Sequence, residues 1–302
     1  MSSSIPANPA SQTFANELNK INYEEFSILS RKLHDFFHSE NFLEAFYQHH
    51  LDVLTACEDP ENVGLFHYFD TLFPLRQTNQ MGLEEILLND PKRRNYYCFS
   101  TSYRFEKNPV VGRHNTIFPM VEFETNDGTL ESLIVFATKL IKALGYKGNF
   151  CEIDYEEACD MCKTMELNHD DEDYLCKTLA PVVFLKNFPE RTHPFFNMER
   201  DPENPGYARK LDVLMLGRNS IGETKGMETI GSAVRSCDVA EMKRSFLAIS
   251  NGEYAALLYK KFGKERVDNE LNRFLSLPMF PRAGGGIGFS RLLNFVRYHG
   301  LL

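Results

Sequence analysis

Between Tyr103 and Glu124 the sequence sets charged and aromatic residues at spacings that two neighbouring strands would bring together. Tyr103-Arg104-Phe105-Glu106 is followed by the polar stretch KNPVVG, then by Arg113-His114, and then by Phe118, Met120, Glu122 and Glu124 at alternate positions. Alternate residues of a strand share a face, so the last four make an aromatic platform followed by two carboxylates. Arg104, Arg113 and His114 bring cationic donors beside it. The planar fork of arginine matches phosphate oxygens, so the chemistry indicated is a grip on a polyphosphate. Near the end of the chain, Arg282-Ala-Gly-Gly-Gly-Ile-Gly288-Phe-Ser-Arg291 runs from a glycine strand into an apolar helix. Glycines allow a backbone or a flat ring to approach closely. Arg291 falls in the first helical turn, where free amides and the helix dipole also favour phosphate. Asp212 and Glu228 lie on adjacent candidate strands, and two carboxylates beside phosphates are a ligand set for magnesium. The chain has no GxxxxGK[ST], GxGxxG after a first strand, HExxH or GxSxG, so the usual nucleotide and hydrolase signatures are absent.

These groups need a scaffold, and the apolar pattern supplies one. Phe26, Leu29, Leu33, Phe36 and Phe37 recur at helical spacing in an amphipathic helix expected from Tyr23 to Phe42. Short apolar runs bounded by turn residues read as strands over 96–105, 117–125, 182–188, 211–216 and 230–236, and 130–146, 155–165 and 240–249 read as helices. The pattern predicts an α+β domain on an antiparallel sheet spanning 23–302, after a polar, flexible arm at 1–22. With 302 residues a large core can form, and 33 Lys plus Arg against 42 Asp plus Glu give a net charge of −9. That balance argues against a dedicated nucleic-acid coat or a polybasic membrane binder, while leaving room for a local basic groove. The basic run Lys92-Arg93-Arg94 reads as a solvated turn. Neither an export signal nor an apolar run of about 18 residues occurs, so a cytoplasmic address is expected. Seven scattered cysteines do not form a secreted disulfide framework. Cys159 and Cys162 share one helix face and, with Cys151 and Cys176, are read as core thiols rather than a zinc site. His169 and His193 are read as structural or exposed, and the role of Glu58 is left even.

The arginine-bearing hairpin, YRFEK…RHNTIFPMVEFE, and the terminal GGGIGFSRL resemble motifs two and three of class II aminoacyl-tRNA synthetases, over about Tyr23 to Leu302. Gln77-Thr-Asn-Gln80-Met-Gly-Leu-Glu and Lys186-NFPERTHPFFNMERDPENPGYARKLDVLM follow the asparaginyl-tRNA synthetase pattern in order. ENFLEAFYQHHLDVL lacks the proline of motif one. The resemblance implies a class II synthetase-like antiparallel sheet flanked by helices, with ATP as substrate and magnesium as cofactor. It places Arg104 at the α-phosphate, Arg113, His114 and Glu106 around the nucleotide, Phe118 against adenine, and Gly288 and Arg291 near the γ-phosphate. Asp212 and Glu228 would hold magnesium, and Thr78, Gln80, Glu122 and Arg235 would read the amino acid. Arg104, Arg291 and Glu228 would be catalytic, stabilising attack of a carboxylate on the α-phosphate. A Glu122 and Arg235 pair could hold a side-chain amide, or the α-ammonium and α-carboxylate of a reversed aspartate. Leu83 stands where aspartyl enzymes place a lysine, which argues against a plain aspartyl synthetase.

Two departures shape the functional expectation. The resemblance brings with it an N-terminal anticodon-binding barrel for which the 22-residue arm leaves no room, and GGGIGFSRL differs from the usual GLGLERL. That tip looks like stand-alone asparagine synthetases, ammonia-dependent or archaeal-type. The leading expectation is therefore asparagine synthesis from aspartate and ammonia through an acyl-adenylate, with AMP and pyrophosphate released. The alternatives are a paralogue that activates asparagine or a similar amino acid for another acceptor, and a non-catalytic amino-acid-binding regulator. A homodimer is expected, and specific tRNA binding is not.

Overall fold

The structure, a computed structural model, describes residues 21–47, 51–54, 63–105, 110, 112–113, 115–219 and 221–302. Helix α1 (Tyr23–Ser39) begins where the Asn22 side chain accepts hydrogen bonds from the amides of Glu24 and Glu25. It buries Leu29, Leu33, Phe36 and Phe37. It stops before the expected Phe42, because Asn41 turns left-handed (φ 62°) and Phe42 enters strand β1 (Phe42–Glu44). A hairpin of β2 (Leu65–Tyr68) and β3 (Thr71–Pro74) leads to α2 (Gln80–Asn89), β4 (Asn95–Tyr103), β5 (Ile117–Thr125) and α3 (Leu130–Ala143). Then come β6 (Phe150–Asp154), α4 (Tyr155–Cys162), α5 (His169–Thr178), β7 (Val182–Pro189), β8 (Tyr207–Arg218) and β9 (Thr224–Arg235). Three helices, α6 (Val239–Ala248), α7 (Glu253–Phe262) and α8 (Lys264–Leu275), precede β10 (Arg282–Gly288) and α9 (Phe289–Tyr298).

Eight strands make one sheet in the order β1-β4-β5-β10-β9-β8-β7-β6. From β4 to β7 all neighbours are antiparallel, as expected, but the edge strands β1 and β6 pair in parallel with β4 and β7. The sheet is therefore mixed. One face carries the largest core, in which Val121 and Phe123 of β5, Val213 and Met215 of β8 and Ile287 of β10 meet α1, α3 and α9. Phe37 stacks on Tyr97 at 4.4 Å between centroids, and Phe123 on Phe136 at 4.3 Å. Each such buried ring contributes roughly 1.5–3 kcal/mol of burial energy.

The opposite face is split. At one end α2 and α6–α8 pack Leu83, Leu87, Phe246, Leu258, Leu271 and Phe274 into a second core. At the other, α4 and α5 cover β6–β8 with Cys159, Leu175, Cys176, Val183 and Leu214. Cys98, Cys151, Cys159, Cys162, Cys176 and Cys237 are all free thiols, and Cys159 and Cys176 are core residues as read from the sequence. Between these covers the middle strands β5, β10, β9 and β8 present polar side chains.

The cover over β9 is tight because Gly226 has no side chain: a Cβ there would lie 2.6 Å from Cys176 Cβ and 2.8 Å from the Glu172 carbonyl oxygen. Gly226→Ala should destabilise the fold by about 1–3 kcal/mol, the usual range for overpacking. A urea titration reads this directly, and an unchanged midpoint would mean that α5 sits looser than described.

Candidate active site

The β4–β5 hairpin positions the first cations. Beyond the last strand residue the Arg104 amide donates to the Thr116 carbonyl at 2.7 Å, extending the pairing by one step. The Arg104 guanidinium lies 5.8 Å from the centroid of Phe118. Arg113 donates to Glu172 of α5 at 2.8 Å, and the same carboxylate accepts from the amide of Glu228 at 3.3 Å. Arg291, in the first turn of α9, donates to the Glu228 carbonyl at 2.6 Å. Gly288 caps that helix, and its Cα faces the Arg291 side chain.

Burial alone would push the Glu228 carboxyl up, but Lys210, Arg291, Arg104 and Arg113 together hold it below the ordinary glutamate value. Burial draws the pKa of Arg291 down, Glu228 and Glu172 oppose that, and Arg113 and Arg104 reinforce it. An arginine in such company remains charged, so the corner is rich in positive charge and suits a polyanion.

The two carboxylates converge because β9 carries an extra residue. Val213 faces Ile230 while Leu214 faces Glu228, leaving Thr229 as a bulge. In a regular strand Glu228 and Gly231 would point to opposite faces, and the bulge restores them to one face. A Cβ on Gly231 would lie 2.7 Å from Glu228 Oε1 and 3.6 Å from Asp212 Oδ1, so the glycine keeps open the space that both carboxylates enter. Hard oxygen donors in a pair fit a magnesium ion that takes its remaining ligands from water and phosphate. Among the described residues no group of three or more His, Cys, Asp or Glu side chains could hold a metal by itself.

Towards the Arg282 end of β10 the chemistry changes. The carboxylate of Glu122, shut off from solvent, accepts from the hydroxyl of Thr78, from the Asn79 amide at 2.8 Å and from the Ser100 hydroxyl at 2.6 Å. Arg235, also buried, donates to Glu124 at 2.5 Å and to the side-chain oxygen of Gln80 at 3.1 Å. Glu122 and Arg235 are thus anchored separately instead of pairing with each other. The glycines opposite leave the room: a Cβ on Gly284 would overlap the Glu124 carboxylate, and one on Gly286 would lie 3.0 Å from Gln80 Nε2. Behind them Arg282 donates to Glu84 at 2.8 Å, and Asn197 donates to the other Glu84 oxygen at 2.7 Å.

The structure therefore places Arg104, Arg113, Phe118, Asp212, Glu228, Gly288 and Arg291 around the part of the sheet face that runs from Gly286 to the Gly288 end of β10, and Thr78, Gln80, Glu122 and Arg235 around the part that runs from Gly286 to its Arg282 end. Glu106, His114 and Glu58 lie outside the described residues. Sequence reasoning missed Glu172, Lys210, Glu124 as the partner of Arg235, and the Glu84–Arg282 pair. Only Glu124 had a signal, its alternation with Glu122. His169 begins α5, with its side chain 3.8 Å from Asp170, and His193 is left-handed at the end of a short 3-10 turn.

Residues 13–298 match the family of class II tRNA synthetases described as D, K and N, and the chain belongs to that family. The mixed sheet with its glycine strand and arginine helix is the class II synthetase fold. An aspartate–tRNA(Asp) ligase of Pyrobaculum aerophilum is 24% identical over 89% of this chain and 62% of its own length. The cytoplasmic asparagine–tRNA ligase of Mus musculus is 24% identical over 82% of this chain and 46% of its own. The chain thus spans less than two thirds of either relative. The structure of asparaginyl-tRNA synthetase from Pyrococcus horikoshii complexed with asparaginyl-adenylate superposes with a TM-score of 0.69 at 19% identity, covering 96% of this chain and 69% of that one. Among the described residues no helix is long and apolar enough to cross a membrane.

Burial raises the pKa of Glu122, against the opposing effect of its three donors. Its stabilising contribution is then present below the ordinary value of 4.5 and is lost as pH climbs above it. Gln cannot titrate, so Glu122→Gln should gain stability relative to the unsubstituted protein as pH rises from about 4 to about 8. Urea titrations across that range check it. A difference that does not vary with pH is the contrary result.

Proposed function

We propose that the protein activates an amino acid of the aspartate–asparagine type with ATP, forming an aminoacyl-adenylate and pyrophosphate. The observation that carries this is the change of chemistry along one open sheet face, from one end of the β10 glycines to the other. Three guanidiniums and a lysine act on Glu228 towards the Gly288 end, and buried Glu122 and Arg235 with half-buried Gln80 lie towards the Arg282 end. A triphosphate at the first end and an amino acid at the second would meet over the glycines. A substrate carboxylate oxygen then attacks the α-phosphorus as the bond to the bridging oxygen of the β-phosphate breaks. Arg104 holds the α-phosphate, and Arg113 and Arg291 neutralise the charge that gathers on the leaving pyrophosphate. A magnesium ion on Asp212 and Glu228 would supply further neutralisation. No side chain of the protein acts as a nucleophile.

The acceptor of the activated amino acid distinguishes two readings. Transfer to ammonia, with aspartate entering reversed, is supported by the GGGIGFSRL tip and by a pocket whose carboxylate and guanidinium can hold an α-ammonium and an α-carboxylate. Transfer to tRNA is supported by the tRNA ligases among its relatives. Of the basic run, Arg94 is ion-paired with Asp90 and Arg93 lies over Phe280, which leaves Lys92 as the side chain of that turn most open to a phosphate backbone. A homodimer and a cytoplasmic location complete the proposal.

Pyrophosphate exchange with a panel of amino acids tests the activation step, and exchange with none of them would favour a non-catalytic binding protein. Asparagine formed from aspartate, ATP and ammonium supports the first acceptor, and a 3′-aminoacylated tRNA the second. Arg291→Ala should lower the exchange rate about 10²–10³-fold, as removal of a single electrostatic donor does. An unchanged rate would remove Arg291 from the phosphate site.

A further inference from the structure

The carboxylate pair already has a cation beside it. Lys210 precedes Asp212 by two residues on β8, so both side chains share the site face. Lys210 Nζ lies 3.2 Å from Asp212 Oδ2, and the exposures of the two side chains are 17% and 8%. The same ammonium sits 4.3 Å from the centroid of Phe188, which closes one side of it. Phe188 reaches this position beyond a bulge in β7, where Asn187 is left-handed at φ 60°. With Arg291, Arg104 and Arg113, Lys210 helps to hold the Glu228 carboxyl below the ordinary glutamate value.

An exposed Lys–Asp pair would be an ordinary surface contact of small value. This one is enclosed between an aromatic ring and the sheet, and it bears on the two carboxylates best placed to hold a metal. A divalent cation approaching Asp212 must either displace the ammonium or sit beside it against like-charge repulsion, in a site where water screens little.

We propose that Lys210 is a built-in counter-cation of the phosphate site. It holds a position on Asp212 that a divalent cation would otherwise take unopposed, and its ammonium shares the triphosphate charge with any metal bound beside it. Without nucleotide the carboxylate pair has little affinity for divalent metal. With nucleotide, part of the phosphate charge is met by the lysine, and binding depends less on metal than at a site built from carboxylates alone. This assignment rests on reading the corner as an ATP site.

Direct binding measurements on the full chain test it through Lys210→Met, which keeps the packing on Phe188 but removes the charge, and Lys210→Arg, which keeps both. Mn²⁺ alone, titrated by electron paramagnetic resonance, should bind Lys210→Met about tenfold more tightly than the unsubstituted protein, a difference of about 1.4 kcal/mol. ATP titrated by calorimetry in EDTA should bind Lys210→Met at least about tenfold more weakly, with Lys210→Arg close to the unsubstituted protein in both titrations. Equal or weaker Mn²⁺ binding by Lys210→Met would overturn the counter-cation role, and equal metal-free ATP binding would overturn the phosphate contact. Thermal melts show that each variant is folded, and Lys210→Gln replaces the methionine variant if that one is not. Failure of the unsubstituted protein to bind ATP even with Mg²⁺ would refute the ATP reading itself, whereas the Mn²⁺ titration reports on Lys210 independently.

Discussion

Two arginines stand directly opposite each other in the middle of the sheet, Arg282 on β10 and Arg235 on β9, both almost wholly buried. Like charges facing across a ladder repel, and a buried charge without a partner is costly, so this register is tenable only if each guanidinium has its own carboxylate. Glu124 on β5 supplies one and Glu84 on α2 the other. Both carboxylates are closed off from solvent. The rest of the site depends on this. Glu124 reaches Arg235 because Gly284 carries no side chain, and Glu84 ties α2 to the sheet, which brings Gln80 at its first turn against Arg235. The stability gained from such pairs is modest when set against a packed apolar alternative. Their value lies in geometry, because removing any one partner leaves a charge stranded.

The parts legible in the sequence were those with a strict period or an unusual composition. β5 alternates without interruption, so the common face of Phe118, Met120, Glu122 and Glu124 followed from period two, and the glycine run marked β10 and the start of α9. Helical spacing located α1 and α3, although not the left-handed Asn41 that ends α1 early. Tyr254, Leu258 and Phe262, and Val267, Leu271 and Phe274, also stand at helical intervals, yet α7 and α8 went unassigned because nothing between them but Gly263 separates two charged helices.

The illegible parts depend on contacts between distant segments. Glu172 looks like one of several acidic residues opening a solvated helix, and only the docking of α5 on β9 brings it to Arg113. Lys210 looks like an outward-facing strand residue until Phe188 is seen beneath it. The parallel edge strands β1 and β6 are three and five residues long. Segments so short carry too little pattern to fix their direction. The convergence of Asp212 and Glu228 was inferred from residue type, but their shared face is produced by a bulge that no residue pattern announced.

That bulge divides β9 into two stretches read in opposite phase. Residues from Gly231 onward keep one parity and those up to Glu228 the other, with Thr229 absorbing the change. The two ends of the site, at Arg235 and at Glu228, are therefore not interchangeable parts of one regular ribbon. Pairing this segment as a regular ladder, with every residue kept, would leave the composition untouched and the strand fully paired. It would nevertheless turn one end of the site to face the hydrophobic core, whereas losing Thr229 along with its bulge would keep both ends on one face, so residue count and bulge are constrained together.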